Sequence, residues 1–291
     1  MHLPGFDYQR PQVGEVAITT AVAGSGPPLL LLHGYPQTHL MWRHIAPALA
    51  EHHTVVVTDL RGYGDSDKPA PDAAGTMYSK RTMAADQLAV MQSLGFDRFA
   101  VVAHDRGARV AHRLTLDHPE AVDRLAVLDI VPTRHVFAHA DQAMATAYFH
   151  WFFLATGGGV PERLIGLDPE FWLRSMVERL LAPGATIEPE VMDEYLRCFA
   201  NPAAIAASCA DYRSAATIDL EHDDVDAAAG RRVTSPTLVL WGERGFVGRN
   251  YDVLSAWRDY AGDVSGRALR TGHFVPEEDP HALLAELAGF L

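Results

Sequence analysis

The sequence has few cysteines, no long apolar run and too little positive charge to balance its acids. Its 291 residues include only two cysteines, Cys198 and Cys209, whose spacing fits neither a metal site nor a disulfide framework. The longest apolar run, PPLLLL, is far too short to cross a bilayer, and no basic segment followed by an apolar stretch opens the chain. These absences predict a soluble, cytoplasmic protein without a membrane partner.

The net charge of −13 argues against a nucleic-acid partner, because nucleic-acid binders carry a basic surface stripe. A small anionic ligand is not excluded, since a few local arginines can override the global field. Apolar residues make up 48% of the chain and charged residues 21%, which is typical of a globular protein. The length allows one sizeable core, with or without an inserted subdomain.

Short apolar runs alternate with longer amphipathic ones in the first part of the chain. Five runs are typical of strands buried on both faces of a parallel sheet: VAITTAVAG, PLLLLHG, TVVVTDL, RFAVVAH and RLAVLDIV. The segments between them that predict helices are HLMWRHIAPALAEH, YSKRTMAADQLAVMQSLG and GARVAHRLTLDH. The alternation indicates an α/β fold, in which ligands bind at the carboxyl ends of the strands.

The rhythm changes near Pro132, where a long segment rich in alanine and aromatic residues shows helical patterns and no strand pattern. The strand pattern returns in SPTLVLWG, and the patterns of NYDVLSAWRDYA and HALLAELAGFL predict helices. We therefore predict a sheet domain in two parts, residues 1–131 and 223–291, with a helical cap at residues 132–222.

The stretch AHDRGARV places Asp105 between an apolar run and a helical one. The small residues Ala103 and Gly107 stand two positions on either side, as a strained turn that presents a nucleophile requires, whereas a simple helix cap needs neither. A carboxylate at this tip attacks an alkyl carbon and leaves an ester that water must hydrolyse. The backbone N–H groups of Arg106 and Tyr35 are the candidates for holding the oxyanion.

Arg106 and Arg109 lie three positions apart and so share one face of the predicted helix. Two guanidinium groups would offset the repulsion between an anionic nucleophile and an anionic substrate. Arginine also matches the geometry of a carboxylate with two parallel hydrogen bonds. The elbow and the arginine pair together predict a site for a small carboxylate that bears a leaving group.

Hydrolysis of the ester requires a general base and an acid that orients it. Proteins with a nucleophile elbow order these residues nucleophile, acid, base, which indicates His273 in RTGHFVPEEDP as the base. Asp129, at the end of RLAVLDIV, and Glu243, after TLVLWG, are both candidates for the acid.

The predicted cap contains three donors that suit a departing halide. His150 and Trp151 lie side by side in AYFHWFFLATGGG, and Tyr212 lies in CADYRSA. An aromatic stripe packed in a helical core would give the same pattern, so the residues alone leave both interpretations open.

Six motifs together resemble the α/β-hydrolase superfamily and, within it, the fluoroacetate dehalogenases: HGYPQT, DLRGYGDSDKP, AHDRGARV, VLDIVP, HWFFL and GHFVPEEDP. The resemblance covers about residues 5–291, and the DRxxR elbow and the HW pair are its narrowest motifs. It implies a mostly parallel sheet with an inserted helical cap, no metal or organic cofactor, and commonly a homodimer.

The resemblance also implies a role for each matched residue. Asp105 matches the nucleophile, His273 the base that activates water, and Asp129 its acid partner. Arg106 and Arg109 match the residues that bind the substrate carboxylate, and His150, Trp151 and Tyr212 match those that hold fluoride as it leaves. The activity implied is hydrolysis of haloacetates, including fluoroacetate, to glycolate and halide.

The main alternative is an epoxide hydrolase, which uses the same Asp-His-Asp triad. It needs cap tyrosines to protonate the epoxide oxygen, for which Tyr212 with Tyr148 or Tyr195 qualifies, but it typically has Trp where this chain has Arg106. A haloalkane dehalogenase prefers an apolar pocket that two arginines would spoil. A non-catalytic ligand-binding protein would lack the nucleophile, the base or the acid, and all three candidates are present.

Overall fold

The chain folds into ten strands and fifteen α-helices, and the computed structural model describes all 291 residues. The strands are β1 (Asp7–Gln9), β2 (Gln12–Val13), β3 (Val16–Ala17), β4 (Thr20–Ala23), β5 (Pro28–Leu32), β6 (Thr54–Thr58), β7 (Phe99–His104), β8 (Val122–Leu128), β9 (Thr237–Gly242) and β10 (Val264–Leu269). The helices before the cap are α1 (Ala46–Leu49), α2 (Lys80–Ser93) and α3 (Asp105–Asp117).

The remaining helices follow β8. Eight lie between β8 and β9: α4 (Thr133–Ala138), α5 (Gln142–Ala147), α6 (Phe149–Ala155), α7 (Val160–Leu167), α8 (Pro169–Leu180), α9 (Pro189–Phe199), α10 (Pro202–Ala215) and α11 (Ile218–Ala228). Four follow β9: α12 (Phe246–Asn250), α13 (Val253–Arg258), α14 (Val275–Glu278) and α15 (Pro280–Phe290). None of these helices is long and apolar enough to cross a membrane.

Eight strands form one sheet in the order β1-β4-β6-β5-β7-β8-β9-β10. The six strands from β6 to β10 in that order pair in parallel, and β4 and β1 extend the edge as antiparallel strands. The predicted α/β class with a mostly parallel sheet is therefore confirmed. The antiparallel strand β1 was not predicted, and VAITTAVAG divides between β4 and a separate two-stranded ribbon of β2 and β3.

The core lies on both faces of this sheet. The side chains of Leu29–Leu32 and Val55–Val57 are fully buried, as the unbroken apolar runs predicted. Each such side chain contributes about 1.5–3 kcal/mol by leaving water. This burial holds the strand ends, and the residues that follow them, at fixed positions.

The segment HLMWRHIAPALAEH is not one helix, so that prediction is wrong. The residues His39–Trp42 form a 3₁₀ turn that is capped by the Thr38 hydroxyl, and α1 begins only at Ala46. Pro47 explains the break, because a proline inside a continuous helix has no N–H to donate and collides with the preceding turn. In the structure Pro47 lies in the first turn of α1, where a missing N–H costs nothing.

The segment between β8 and β9 contains eight helices and no strand, and α6 packs against α10 within it. This contact brings the His150–Trp151 pair on α6 close to Tyr212 on α10. The cap limits at residues 132 and 222 stay a prediction. The last helix of the segment, α11, continues to Ala228.

Candidate active site

Asp105 lies at the junction of β7 and α3 with a left-handed backbone, at a φ of 45°. The turn needs small neighbours. A Cβ on Gly107 would clash with the carbonyl oxygen of His33, and a Cβ on Gly34 would clash with the side chain of Asp105. Strain of this kind persists only where the surroundings enforce it, and it presents the carboxylate at the carboxyl end of the sheet.

The Asp105 carboxylate is buried and held in an electropositive setting. Its Oδ1 accepts a hydrogen bond from the backbone N–H of Tyr35 at 3.0 Å, which leaves Oδ2 free of such a bond. Burial alone would raise its pKa, but nearby charges, of which that of His273 is the largest, lower the pKa to about 2. The carboxylate is therefore ionised at neutral pH and chemically competent as a nucleophile.

His273 lies in the loop between β10 and α14, beside Asp105. Its Nδ1 is 2.6 Å from Oδ2 of Asp129, and its Nε2 is 3.9 Å from Oδ2 of Asp105, too far for a hydrogen bond. Because the Asp129 carboxylate accepts at Nδ1, that nitrogen carries a proton, and when the ring is neutral its lone pair is on Nε2. Burial lowers the pKa of His273, but the hydrogen bond and the charge of Asp129 outweigh burial and raise it.

Asp129, rather than Glu243, is the acid in contact with the imidazole. Asp129 is 1% exposed, has a φ of 53°, and accepts a hydrogen bond from the N–H of Gly242 at 2.9 Å through its other oxygen. The Glu243 side chain is 48% exposed, and its nearest charged neighbour is Arg244 at 3.9 Å. The residue pattern alone left both acids open, the resemblance implied Asp129, and Asp129 is the one that contacts the imidazole.

Glu278 fixes the loop that carries His273, and sequence reasoning missed it. Its carboxylate accepts from the N–H of Gly272 at 2.7 Å and from the N–H of Phe274 at 3.0 Å, on either side of the histidine. The Nε2 of His104 lies 2.8 Å from the carbonyl oxygen of His273. The acidic pair in GHFVPEEDP was the available signal, but acids are common in the first turn of any helix and do not by themselves indicate a contact with the preceding loop.

Arg106 is fully buried and paired with Asp211 on α10. Its Nε donates to Oδ2 of Asp211 at 3.1 Å and its Nη2 to the Asp211 carbonyl at 3.0 Å, while Nη1 has no partner. The same carboxylate forms an ion pair with Lys80 and accepts from the Tyr63 hydroxyl at 2.7 Å. Asp211 is the centre of a buried cluster that sequence reasoning did not identify, although it precedes Tyr212.

Arg109 lies one turn further along α3 and also keeps an unpartnered donor. Its Nη1 donates to the Val131 carbonyl and to the Thr133 hydroxyl, both at 3.0 Å, and its buried Nε has no partner. The two guanidinium groups share one aromatic neighbour, since their Cζ atoms lie 5.8 Å (Arg106) and 4.5 Å (Arg109) from the ring centre of Trp151. Unpartnered buried cationic donors are costly, and an anionic ligand would satisfy them.

The three cap aromatics form one cluster above these arginines. The ring centre of Tyr212 lies 5.7 Å from that of His150 and 6.0 Å from that of Trp151. The guanidinium carbon of Arg106 lies 4.2 Å from the ring centre of Tyr212. Burial lowers the pKa of His150 to about 3 and raises that of Tyr212. At neutral pH His150 is therefore a neutral imidazole with one N–H, and Tyr212 keeps its O–H.

The structure brings the predicted residues together, with two exceptions among the alternatives. Glu243 faces away, as described above. Tyr195 lies in a separate polar cluster, where its hydroxyl donates a hydrogen bond to the Glu277 carboxylate at 2.6 Å. The hydroxyl of Tyr148, by contrast, is buried without a partner, and its ring centre lies 5.3 Å from that of His150.

The buried cluster around Asp211 leads to a prediction about stability. Asp211→Asn is expected to lower the free energy of unfolding by about 3–5 kcal/mol, because Arg106 and Lys80 then stay buried without their counter-charge. Urea denaturation measures the loss. The matched control is Asp224→Asn, which removes an exposed carboxylate paired with Arg134 and should cost less than about 1 kcal/mol. Equal losses in the two variants would contradict a central role for Asp211.

A family model described as the α/β-hydrolase fold matches residues 27–280 of the chain. The chain belongs to this family. This α/β hydrolase is 44% identical over 290 residues to a fluoroacetate dehalogenase from Burkholderia sp, with 99% of this chain and 94% of the relative covered. It is 37% identical over 272 residues to a soluble epoxide hydrolase from Corynebacterium sp. (strain C12), with coverage of 90% and 89%.

A solved structure agrees with this placement. The crystal structure of ALR0039 from Nostoc sp PCC 7120 superposes on this α/β hydrolase with a TM-score of 0.97 and 52% sequence identity, and 99% of each chain is covered. The predicted α/β-hydrolase fold and the resemblance to fluoroacetate dehalogenases are both confirmed. The names of these two relatives indicate different substrates. The choice between dehalogenase and epoxide hydrolase activity therefore depends on the chemistry of the site.

Proposed function

We propose that this enzyme is a haloacetate dehalogenase that hydrolyses haloacetates, fluoroacetate included, to glycolate and halide. The supporting observation is the ionised Asp105 beside two buried guanidinium groups that each keep an unpartnered N–H. A carboxylate nucleophile requires an electrophilic alkyl carbon, and the guanidinium donors require an anion. A small acid with a leaving group on the carbon next to its carboxylate meets both requirements.

In the first step the Oδ2 of Asp105 attacks the α-carbon of the substrate. A carbon–oxygen bond forms as the carbon–halogen bond breaks, and the halide leaves with the bonding electron pair. Arg106 and Arg109 hold the substrate carboxylate and so orient the α-carbon. The donors of His150, Trp151 and Tyr212 stabilise the halide as its charge develops, in a site from which bulk water is excluded.

In the second step water hydrolyses the ester on Asp105. The Nε2 of His273 takes a proton from the water, whose oxygen attacks the ester carbonyl carbon, and Asp129 stabilises the imidazolium. The resulting oxyanion is held by the N–H of Tyr35, already 3.0 Å from Oδ1, and by that of Arg106 in the first turn of α3. Collapse breaks the bond from the Asp105 carboxyl carbon to the ester oxygen, which takes the proton back from His273 and leaves as the hydroxyl of glycolate. Asp105 then loses the second water proton to solvent and regains its carboxylate.

Three substrates test the proposal directly. Purified enzyme is mixed with fluoroacetate, chloroacetate or styrene oxide, and free halide, glycolate and diol are measured. Fluoride with an equal amount of glycolate is the expected result. Release of chloride but not of fluoride would support the carboxylate-binding role of the arginines. It would also show that the cap aromatics do not stabilise a departing fluoride. Diol from the epoxide, with no halide from either acid, would overturn the proposal.

An epoxide hydrolase is the second candidate, because two cap tyrosines near the nucleophile have no hydrogen-bond partner for their hydroxyls. The Tyr148 hydroxyl is buried and has no hydrogen-bond partner, and no side chain forms a hydrogen bond with the Tyr212 hydroxyl. Two such phenols are what protonation of an epoxide oxygen requires. The two guanidinium groups count against this candidate, since a neutral epoxide would leave their free donors unsatisfied.

Trp151→Phe separates halide stabilisation from packing. The variant keeps an aromatic ring beside the arginines and removes one N–H donor, so the kcat for fluoroacetate is expected to fall about 10²-fold or more. The kcat for chloroacetate should fall less, because chloride depends less on hydrogen bonds. Trp257→Phe is the control, since the Trp257 indole donates to the Ile130 carbonyl and should leave the fluoride-to-chloride ratio unchanged. Equal losses for both halides in the Trp151 variant would show that the indole only packs.

A further inference from the structure

A cavity of about 450 Å³ opens between the helical cap and the loop after β9. Its walls come from α5, from the end of α8 with the turn that follows it (residues 179–183), and from α12 with the residues before it. Tyr148, between α5 and α6, lies in its wall, and the ring centre of Tyr148 packs 4.5 Å from that of Phe246 on the opposite side. We call this cavity the vestibule.

The charge of the vestibule is opposite in sign to that of the whole chain. Three arginines line it, Arg179, Arg244 and Arg249, and no acidic side chain does, whereas the chain as a whole carries −13. All three arginine side chains are exposed, and little negative charge lies close to them. Arg244 has only a 3.9 Å contact with Glu243, and Arg179 lies over the ring of Phe149 and donates to the Thr146 carbonyl. A concave surface of one sign with apolar walls concentrates the field of its charges.

One aromatic residue, Tyr148, lies both in the wall of the vestibule and close to the catalytic residues. The ring centre of Tyr148 lies 6.5 Å from that of His273 and 5.3 Å from that of His150. Its buried hydroxyl has no partner, so no hydrogen bond fixes this side chain in place.

We propose that the vestibule is the access route for an anionic substrate, with its three arginines attracting small carboxylates and Tyr148 as the movable wall before the catalytic residues. This assignment rests on the proposed function for the identity of the substrate. The vestibule arginines act before chemistry, so they raise the rate of productive encounter and not the rate of bond breaking. The vestibule arginines are therefore expected to raise kcat/KM, and added salt is expected to reduce this effect.

Charge reversal at two exposed positions tests the assignment. The double variant Arg244→Glu/Arg249→Glu is expected to lower kcat/KM for chloroacetate about tenfold at about 0.01 M ionic strength, with kcat within about twofold of the parent. The deficit should nearly vanish at about 0.5 M salt, where the Debye length is only a few ångströms. The control is Arg98→Glu/Arg124→Glu, which makes the same change in net charge near the amino ends of β7 and β8, opposite Asp105.

The outcomes distinguish the vestibule from the proposed function. If the two double variants behave alike, or if the deficit does not depend on salt, the vestibule assignment is overturned while dehalogenation stands. If the parent enzyme releases no halide, glycolate binding measured by calorimetry replaces the kinetic readout. Weaker glycolate binding by Arg244→Glu/Arg249→Glu at low salt alone would then support an anion route without the proposed reaction, and unchanged binding would overturn both.

Discussion

Asp105→Asn is expected to lower the rate of halide release at least about 10⁴-fold, to the level of the assay background. The carboxamide has no anionic oxygen to attack the α-carbon, and no other residue of the site can form the ester. The fold should survive, because asparagine tolerates the left-handed φ of 45° better than most residues. Its amide oxygen can also accept the hydrogen bond from the N–H of Tyr35. Halide release and thermal unfolding, measured on the same preparation, check both statements.

Two controls make this loss interpretable. The lone pair on Nε2 of His273 that activates water for the ester can also promote hydrolysis of a carboxamide at the same position. The intact mass must therefore be recorded with every assay to detect regained aspartate. Asp97→Asn, at an exposed position before β7, should keep full activity. Turnover by Asp105→Asn with no regained aspartate would remove Asp105 from the mechanism.

The elbow was predictable from the sequence because all of its requirements are local. A strand pattern, two small residues and a helical pattern lie within a few positions of Asp105, and the structure shows why each is needed. Gly107 leaves room for the His33 carbonyl, and the strained φ occurs at the residue between the elements. The sheet was predictable for a similar reason, since each buried parallel strand is an unbroken apolar run.

The partner of Arg106 was not predictable, because it depends on a contact across 105 positions of the chain. Asp211 lies in α10, which has no distinct polar face, so its sequence pattern does not show which way this carboxylate points. No periodicity indicates that this carboxylate meets Arg106, Lys80 and Tyr63 in a single cluster. Such pairings depend on how the cap packs on the sheet domain, and no local spacing of residues predicts that packing.

The choice between Asp129 and Glu243 shows the same limit at shorter range. Both residues follow neighbouring parallel strands, so both reach the same edge of the sheet. What separates them is backbone geometry. The positive φ of Asp129 and its bond from the Gly242 N–H direct its carboxylate to His273, while the next residue, Glu243, faces solvent.

The charges buried around the nucleophile also explain why an anionic substrate would be tolerated. Arg106 is paired with Asp211, whereas the hydrogen bonds of Arg109 go to the Val131 carbonyl and the Thr133 hydroxyl and not to a carboxylate. The guanidinium of Arg109 therefore has no hydrogen-bonded counter-charge before substrate binds. A substrate carboxylate would supply one, and it would also satisfy the free N–H groups on the two arginines. This arrangement favours a monoanionic acid over a neutral epoxide.

His273→Asn is expected to stop the reaction halfway, with an ester trapped on Asp105. The first step uses Asp105, the arginines and the cap donors, none of which needs His273 as a base. The variant should therefore release about one halide per active site and then stall, and the peptide that contains Asp105 should gain the mass of one carboxymethyl group. Asparagine can still donate a hydrogen bond to Asp129, and the loop keeps its bonds to Glu278, so the site should stay assembled.

Trapping distinguishes the two-step reaction from direct attack of water on the α-carbon. In a direct reaction His273 would be needed before the carbon–halogen bond breaks, so the variant would give neither a halide burst nor an adduct. That result, in a variant that unfolds at the parent temperature, would contradict the ester mechanism. The parent enzyme offers an independent check, because a single turnover in water labelled with a heavy oxygen isotope should place the label in Asp105. Label found only in glycolate after that first turnover would mean that water attacks the substrate carbon itself.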